Sequence, residues 1–258
     1  MRAEARLVAE PDGRGGTRLS TVYGEPPLLL RRTGYRDATH AEVHLVGGAA
    51  GPLGGDDLRI GVVVRPGARL VIRTVAASLA QPSDPSAPST LTVTATVGRG
   101  GALAWLPEPT IAVTGCDHLN RSIVDLDEGA ELLWREEIVA GRHGEPPGDL
   151  RMATTVRYAG RTLLRHDLAI GPRAKGWDGP AVIGARAAGT LLILGPDAPE
   201  QPATITNTAA LMPLAHGPAA LVSATGRDAR ELRAALDQAT VNTWAHDPDA
   251  KTGNCCEN

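Results

Sequence analysis

Two residues close together in this sequence have the side-chain types of a metal site. Cys116 and His118 alternate along a segment predicted to be extended, so both side chains point to one face. A thiolate and an imidazole suit soft or borderline metals. Two ligands do not complete a structural site, so the pair is only a weak candidate for transient metal binding.

A second histidine pair, His40 and His44, has the spacing of two ligands on one helix face. The metalloprotease helix requires Glu directly after the first His, whereas here Glu42 lies midway between them. We predict a strand over residues 42–46, which would place the two rings about 13 Å apart on one face. The sequence therefore does not favour a shared metal ion at this pair.

Hydrolase motifs are absent from the chain. No Gly-x-Ser-x-Gly occurs. His166 and Asp167 are neighbours on a predicted strand and would point to opposite faces, so this Asp cannot orient this His. We interpret the acidic pairs at 125/127 and 136/137 as solvated strand faces. An enzyme remains an alternative only if its site is assembled from scattered residues: His118, Glu136 and His166.

A glycine-rich loop over residues 47–56 invites a phosphate-binding interpretation, which its surroundings do not support. A phosphate loop needs Lys followed by Ser or Thr at the start of a helix. Here Asp56 and Asp57 end the loop, and an alternating strand follows. We therefore interpret the loop as a structural turn or a surface for a partner.

The elements that must position these residues follow a repeat. An alternating strand, a Gly-Ala turn and an apolar strand recur over residues 58–72, 91–105 and 122–134. We place the turns at Gly67, Gly101 and Gly129, which are 34 and then 28 residues apart. One such unit cannot bury its own apolar face, so the repeat predicts stacked β-layers. The fold class is mainly β: layered, β-helix-like or a sandwich of many short strands, with one or two short helices near the C-terminus.

Other elements are predicted from periodicity and turn residues. Strands over 3–9 and 17–23 form an opening pair, and strands over 152–158 and 161–170 form a hairpin. Apolar residues at helical spacing predict a helix over 227–240. Its predicted N-terminal cap is Thr225.

We expect a single domain over residues 1–258. The proline-rich segment 80–90 is predicted to be an exposed loop, and the polar segment 247–258 a frayed tail.

Composition limits the possible partners. The net charge is −3, so there is no electrostatic case for binding nucleic acid. No apolar run is long enough to span a membrane as a helix. The three cysteines, two of them adjacent near the C-terminus, do not form a disulfide framework. These features predict a cytoplasmic protein with no nucleic-acid or membrane partner.

An ordered set of short motifs resembles the urease accessory proteins of the UreD family, also called UreH. The resemblance covers about residues 42–172 and keeps both order and spacing. The motifs that carry it are Gly54-Gly55-Asp56, Arg65-Pro66-Gly67-Ala68, Trp105-Leu106-Pro107 before Thr110-Ile111, Glu131-Leu132-Leu133-Trp134, Gly141-Arg142 with Gly144-Glu145, and residues 161–168.

The resemblance implies a non-catalytic scaffold that binds the accessory protein UreF, through it the GTPase UreG, and the urease apoprotein, so that nickel enters urease. It implies no resident cofactor and no tightly bound metal, with nickel passing through the complex. Asp56 has two alternative roles: its carboxylate accepts backbone N–H bonds that fix the turn, or it faces a water-filled path and passes Ni²⁺ on as a weak oxygen ligand. Glu108 is the candidate if a carboxylate before Thr-Ile serves metal transit. The family's Glu before Thr-Ile is Pro109 here, with Glu108 one position early. Another alternative is a β-solenoid module that binds a different partner.

Overall fold

The computed structural model describes residues 1–34, 39–178 and 185–239. Strands make up 58% of the chain and helix 4%, which confirms the predicted mainly β class. The strands, in chain order, are β1 (Arg2–Pro11), β2 (Thr17–Gly24), β3 (Leu28–Thr33), β4 (Ala41–Gly47), β5 (Asp57–Val64), β6 (Arg69–Thr74), β7 (Ser78–Ala80), β8 (Ser89–Val97), β9 (Ala102–Leu106), β10 (Thr110–Ala112), β11 (Asp117–Leu126), β12 (Glu131–Ala140), β13 (Asp149–Tyr158), β14 (Arg161–Ile170), β15 (Ala187–Leu194), β16 (Ala203–Thr206), β17 (Ala209–Pro213) and β18 (Ala219–Gly226). The helix in the described residues is α1 (Ala229–Asp237).

Within these ranges, the strands form two facing sheets with parallel centres. The first sheet has the order β14-β13-β11-β8-β5-β1-β2, and the second has the order β16-β17-β18-β15-β12-β9-β6-β4-β3. Neighbours are parallel from β1 to β13 in the first sheet and from β4 to β12 in the second. The short strands β7 and β10 pair with each other, and β10 also pairs with β12. Each predicted repeat is therefore one coil of a β-solenoid.

The strand register corrects the predicted turn of the second repeat. Arg69 pairs with Ala102, and Ala102 pairs with Glu131. Gly67 and Gly129 are therefore equivalent to Gly100 rather than Gly101, and the true spacings are 33 and 29 residues. These three glycines have φ of +75°, +77° and +66°, respectively. Because Gly100 and Gly101 are adjacent, the sequence did not show which of them takes the left-handed backbone conformation.

Gly129 allows the cost of this conformation to be measured, because no atom lies within 4 Å of the position of an added Cβ. We expect Gly129→Ala to lower the free energy of unfolding by about 1–2 kcal/mol, since L-residues pay for positive φ. Gly129→Asn should cost less, because Asn tolerates this region. Urea unfolding of both variants is the measurement. Equal stability of the Ala variant and the wild type would contradict the predicted strain.

The main core lies between the two sheets and consists of inward-facing aliphatic side chains from every coil. The chain has no Phe. Bulk comes instead from Trp105 on β9 and Trp134 on β12, whose rings stack with centroids 5.4 Å apart. A second cluster lies between the second sheet and α1, where Leu232, Ala235 and Leu236 are buried. The predicted apolar face of the helix is confirmed.

The helix is shorter than the predicted range 227–240, and its predicted cap is wrong. Asp228 is the N-cap, and its side chain accepts a hydrogen bond of 2.8 Å from the backbone N–H of Glu231. Thr225 belongs to β18, where it pairs with Ala188. Sheet pairing extends β18 to Gly226, which leaves the Asp as the first free capping side chain.

The predicted strand pair at the N-terminus and the predicted hairpin around Ala159 and Gly160 are both present. The segment predicted to be an exposed loop, 80–90, begins and ends in strands, where Ala80 and Ser89 are fully buried. The segment predicted to be a tail, 247–258, lies outside the described residues.

Candidate functional site

β12 carries two successive glutamates that are both buried. Glu136 is 7% exposed and Glu137 3% exposed, so the predicted solvated face is wrong for this pair. Neighbouring side chains on a strand point to opposite faces. Glu136 faces the space between the two sheets, and Glu137 faces α1. Each face of this central strand is covered, so both carboxylates are largely shielded from bulk water.

Hydroxyl and indole donors surround the carboxylate of Glu136. Ser122 on β11 donates to Oε1 at 2.9 Å, and Thr154 on β13 lies 2.6 and 2.7 Å from the two oxygens. The indole N–H of Trp134 donates to Oε1 at 3.2 Å. In the described part of the chain, Glu136 makes no ion pair. The donors hold both of its oxygens in place.

A cavity of about 50 Å³ lies beside this carboxylate between the sheets. Such a volume holds one or a few water molecules. Apolar side chains form most of its lining, and the polar part comes from Thr74, Ser78, Glu108, Thr110, Asn120, Arg121, Ser122, Glu136 and Glu137. The side of the cavity near Glu108 approaches the surface, since that residue's side chain is 37% exposed.

A chain of hydrogen bonds leads from this cavity through the interior. Asn120 donates to Thr110 at 3.0 Å and accepts from the Nε2 of His118 at 2.8 Å. The Nδ1 of His118 then accepts from Ser89 at 2.8 Å. Burial lowers the pKa of His118, which keeps its ring neutral. Both ring nitrogens are occupied, so His118 offers no free lone pair to a metal.

Cys116, the other weak metal candidate, is also buried. Its Sγ lies 3.6 Å from the backbone oxygen of Asp149. Burial, assisted by the charges of Asp149 and Asp117, raises the pKa of the thiol to about 11, so the metal-binding thiolate is scarce at neutral pH. Across the residues that the structure describes, no group of three or more His, Cys, Asp or Glu side chains could hold a metal ion.

The Gly-Gly-Asp segment forms a tightly packed turn. A Cβ on Gly54 would lie 2.2 Å from the Oγ of Ser83, and Gly55 has φ of +85°. Asp56 is 4% exposed; its Oδ2 accepts from the backbone N–H of Leu53 at 2.9 Å, and its Oδ1 contacts the amino group of Met1. Asp56 does not line the cavity at Glu136. These contacts support a structural role for all three residues of the motif.

The Gly-Arg…Gly-Glu segment is held by its own ion pair. The Nε of Arg142 donates to Glu145 at 3.1 Å, and its backbone N–H donates to the same carboxylate at 3.0 Å. These bonds lower the pKa of Glu145 to about 2. Gly141 has φ of +76°, and the side chain of Arg186 donates to the carbonyls of Ala140 at the end of β12 and of Arg142 and Glu145 in the loop. The segment is built as a rigid turn.

Glu108 belongs to a cluster of charged side chains under α1. The members of this α1 charge cluster are Glu108, Arg135, Glu137, Arg233 and Asp237. Arg233 on α1 donates to Glu108 and to Glu137, each at 3.0 Å. Arg135 on β12 lies 3.0 Å from Glu137 and 3.4 Å from Asp237. It also donates to the carbonyls of Leu106 and Pro107 at 3.2 Å. The cluster thus ties the helix to the segment that follows β9.

Burial and charge act in opposition within this cluster. Burial lowers the pKa of Arg135 and raises that of Glu137. Burial also acts to lower the pKa of Arg233, but the carboxylates of Glu137 and Glu108 outweigh it, and the pKa is raised. Arg233 is therefore a permanent positive charge beside Glu108.

The roles of Glu136 and Arg233 were missed in the sequence. A signal for the first was present, because apolar runs lie on both sides of the charged triplet 135–137, over residues 132–134 and 138–140. A continuous apolar run is typical of a strand buried on both faces. For Arg233 there was no signal, since its two partners are 96 and 125 residues away in the chain.

No helix in the described ranges is long and apolar enough to cross a membrane. The geometry defines the class of protein: a two-sheet β-solenoid with a small cavity between its sheets, beside a buried carboxylate. The chain belongs to the UreD family of urease accessory proteins. The family model described as UreD urease accessory protein matches residues 1–250.

Curated relatives agree over nearly the whole chain. It is 50% identical to a protein of Streptomyces griseus named urease accessory protein UreD 3, over 93% of this chain and 95% of the relative. It is 48% identical to urease accessory protein UreD of Streptomyces coelicolor, over 94% and 96% of the two chains. The resemblance stated from the motifs is confirmed, and it extends beyond the predicted range 42–172.

Proposed function

We propose that this chain is a non-catalytic scaffold of urease maturation in the cytoplasm. It binds UreF, through UreF the GTPase UreG, and the urease apoprotein, and so allows nickel to enter the urease active site. Nickel is the cargo of this process and not a resident cofactor. Family membership supports the role in urease maturation.

The single observation that carries a transit role is the buried carboxylate of Glu136 beside a small, mostly apolar cavity. Hydroxyl groups hold this carboxylate in place, and it has no cation of its own among the described residues. An oxygen-lined site of this kind would bind Ni²⁺ weakly, because nitrogen and sulfur ligands bind Ni²⁺ more tightly. Weak binding suits passage rather than storage. We assign the transit role to Glu136 and Glu108, and a structural role to Asp56.

The enzyme alternative has less support. His118 bonds to Ser89 and Asn120, whereas Glu136 bonds to Ser122, Trp134 and Thr154. Within the described residues, no hydrogen bond joins His118, Glu136 and His166 to one another. The proposed scattered site therefore lacks the direct contact that an acid–base pair would need.

Co-purification tests the scaffold. In a strain that expresses the urease operon, the tagged chain should retain UreF and urease subunits, and the isolated chain should show no urease activity. Deletion of the chain should leave urease assembled but poor in nickel. Normal nickel content in the deletion strain would contradict the proposal.

We also expect the chain to gain solubility when it is co-expressed with UreF, because exposed apolar residues such as Val22, Tyr23 and Val75 are then covered.

A further inference from the structure

The carboxylate of Glu108 is held from two sides at the edge of the interior cavity. Its backbone N–H donates to the Oγ1 of Thr74 at 2.9 Å, which fixes the main chain. Its Oε1 accepts from Arg233 at 3.0 Å, which fixes the side chain. Glu108 also lines the cavity that contains Glu136. One side chain of α1 thus determines the position of a carboxylate that faces the cavity.

The same contact sets the charge at this edge. Arg233 is half-buried, with a side-chain exposure of 23%, and it cannot lose its proton at any physiological pH. While it bonds to Glu108, its positive charge offsets part of the negative charge that this carboxylate presents to a cation. A cation that approached Glu108 would also meet the repulsion of the guanidinium a few ångströms away.

Arg233 is in turn held firmly by the rest of the cluster. Its bonds to Glu137 bind it to a carboxylate with no exposed surface. Arg135 lies on the other side of that carboxylate and contacts the carbonyls of Leu106 and Pro107. The cluster therefore connects α1 to both ends of the short segment between β9 and Glu108. A displacement of α1 would remove Arg233 from Glu108 and leave Arg135 with Glu137.

We propose that Arg233 is a positioning residue that competes with divalent cations for Glu108 and so withholds this carboxylate while α1 is docked. The inference rests on the proposed transit of nickel through the cavity. It assigns to α1 the control of cation access, and it makes release of the helix the event that frees Glu108.

Titration of the purified chain with Ni²⁺ tests this competition, with isothermal calorimetry as the readout. Arg233→Met removes the competing charge, and we expect it to bind Ni²⁺ about tenfold more tightly than the wild type. Arg233→Lys keeps the charge and should stay within about twofold of the wild type. Arg230→Met, an exposed change in the same helix, should leave the affinity unchanged. Adding Glu108→Gln to Arg233→Met should abolish the gain.

Two further results separate the possible failures. If Arg233→Met does not fold because Glu137 loses its main partner, the double variant Glu137→Gln/Arg233→Met removes that buried charge and carries the same expected gain. Binding no tighter than wild type in a folded variant overturns the competition. So does an equal gain in Arg233→Lys, because the effect would then be structural. The transit proposal has a separate readout in cells, the nickel content of urease matured with Glu136→Gln, so either idea can fail without the other.

Discussion

Urease matured in the presence of the Glu136→Gln variant should contain roughly tenfold less nickel than urease matured with the wild-type chain. The change removes the charge that would attract Ni²⁺ inside the cavity and keeps the shape of the side chain. Loss of one charge-assisted contact, worth about 1.4 kcal/mol, corresponds to this factor. The measurements are metal content of purified urease and recovery of the accessory complex from the same cells.

The variant should fold, because an amide can replace most of the carboxylate's bonds. Its oxygen can accept from Ser122 and Trp134, and its NH₂ group can donate to the hydroxyl of Thr154. Asp125→Asn is the matched control: an exposed carboxylate on the outer face of β11, paired with Arg157 at 3.5 Å. Normal urease nickel with Glu136→Gln, in a complex that assembles normally, would remove Glu136 from the transit path.

Arg135→Met should lower the free energy of unfolding by about 3–5 kcal/mol, the range measured when one partner of a buried ion pair is removed. Arg135 is 5% exposed, and the variant would take from Glu137 one of its two cations. It would also remove the donor that serves the carbonyls of Leu106 and Pro107. Urea unfolding followed by circular dichroism measures the loss.

Arg227→Met is the control for this variant. Arg227 pairs with Glu231 at 3.0 Å near the start of α1, and the Arg side chain is 84% exposed. Exposed pairs of this kind contribute less than about 1 kcal/mol. Similar losses in the two variants would show that the α1 charge cluster is not specifically stabilising.

Local sequence patterns predicted most of the solenoid. Alternation of apolar and polar residues predicted the strands of all three repeats, and the Gly-Ala turns predicted how those strands connect. The error of one residue at Gly100 and Gly101 arose because either glycine can take positive φ, and only the neighbouring coils decide which one does. Strand register depends on pairing between neighbouring coils, so the sequence of one coil does not determine it.

The candidate site was less predictable, for a different physical reason. Glu136 and Glu137 are ordinary surface residues by type, and their burial depends on what covers each face of β12. The covering groups are Ser122 and Thr154 on one face and Arg233 on the other. Motif glycines such as Gly54 were easier to find but serve the turn itself. The motifs therefore indicated the family, whereas the buried site depends on contacts between residues that are far apart in the sequence.

The order of strands in the two sheets also follows the order of synthesis. From β4 onward, each coil bonds to the coil made just before it. The open edge of β12 is covered only when β15 is made, and β18 then covers the edge of β15. A nascent chain released before about residue 187 would thus carry a long unpaired strand edge, the usual starting point for aggregation. We therefore expect the yield of this protein in the cell to depend on how soon the ribosome synthesises β15 and β18.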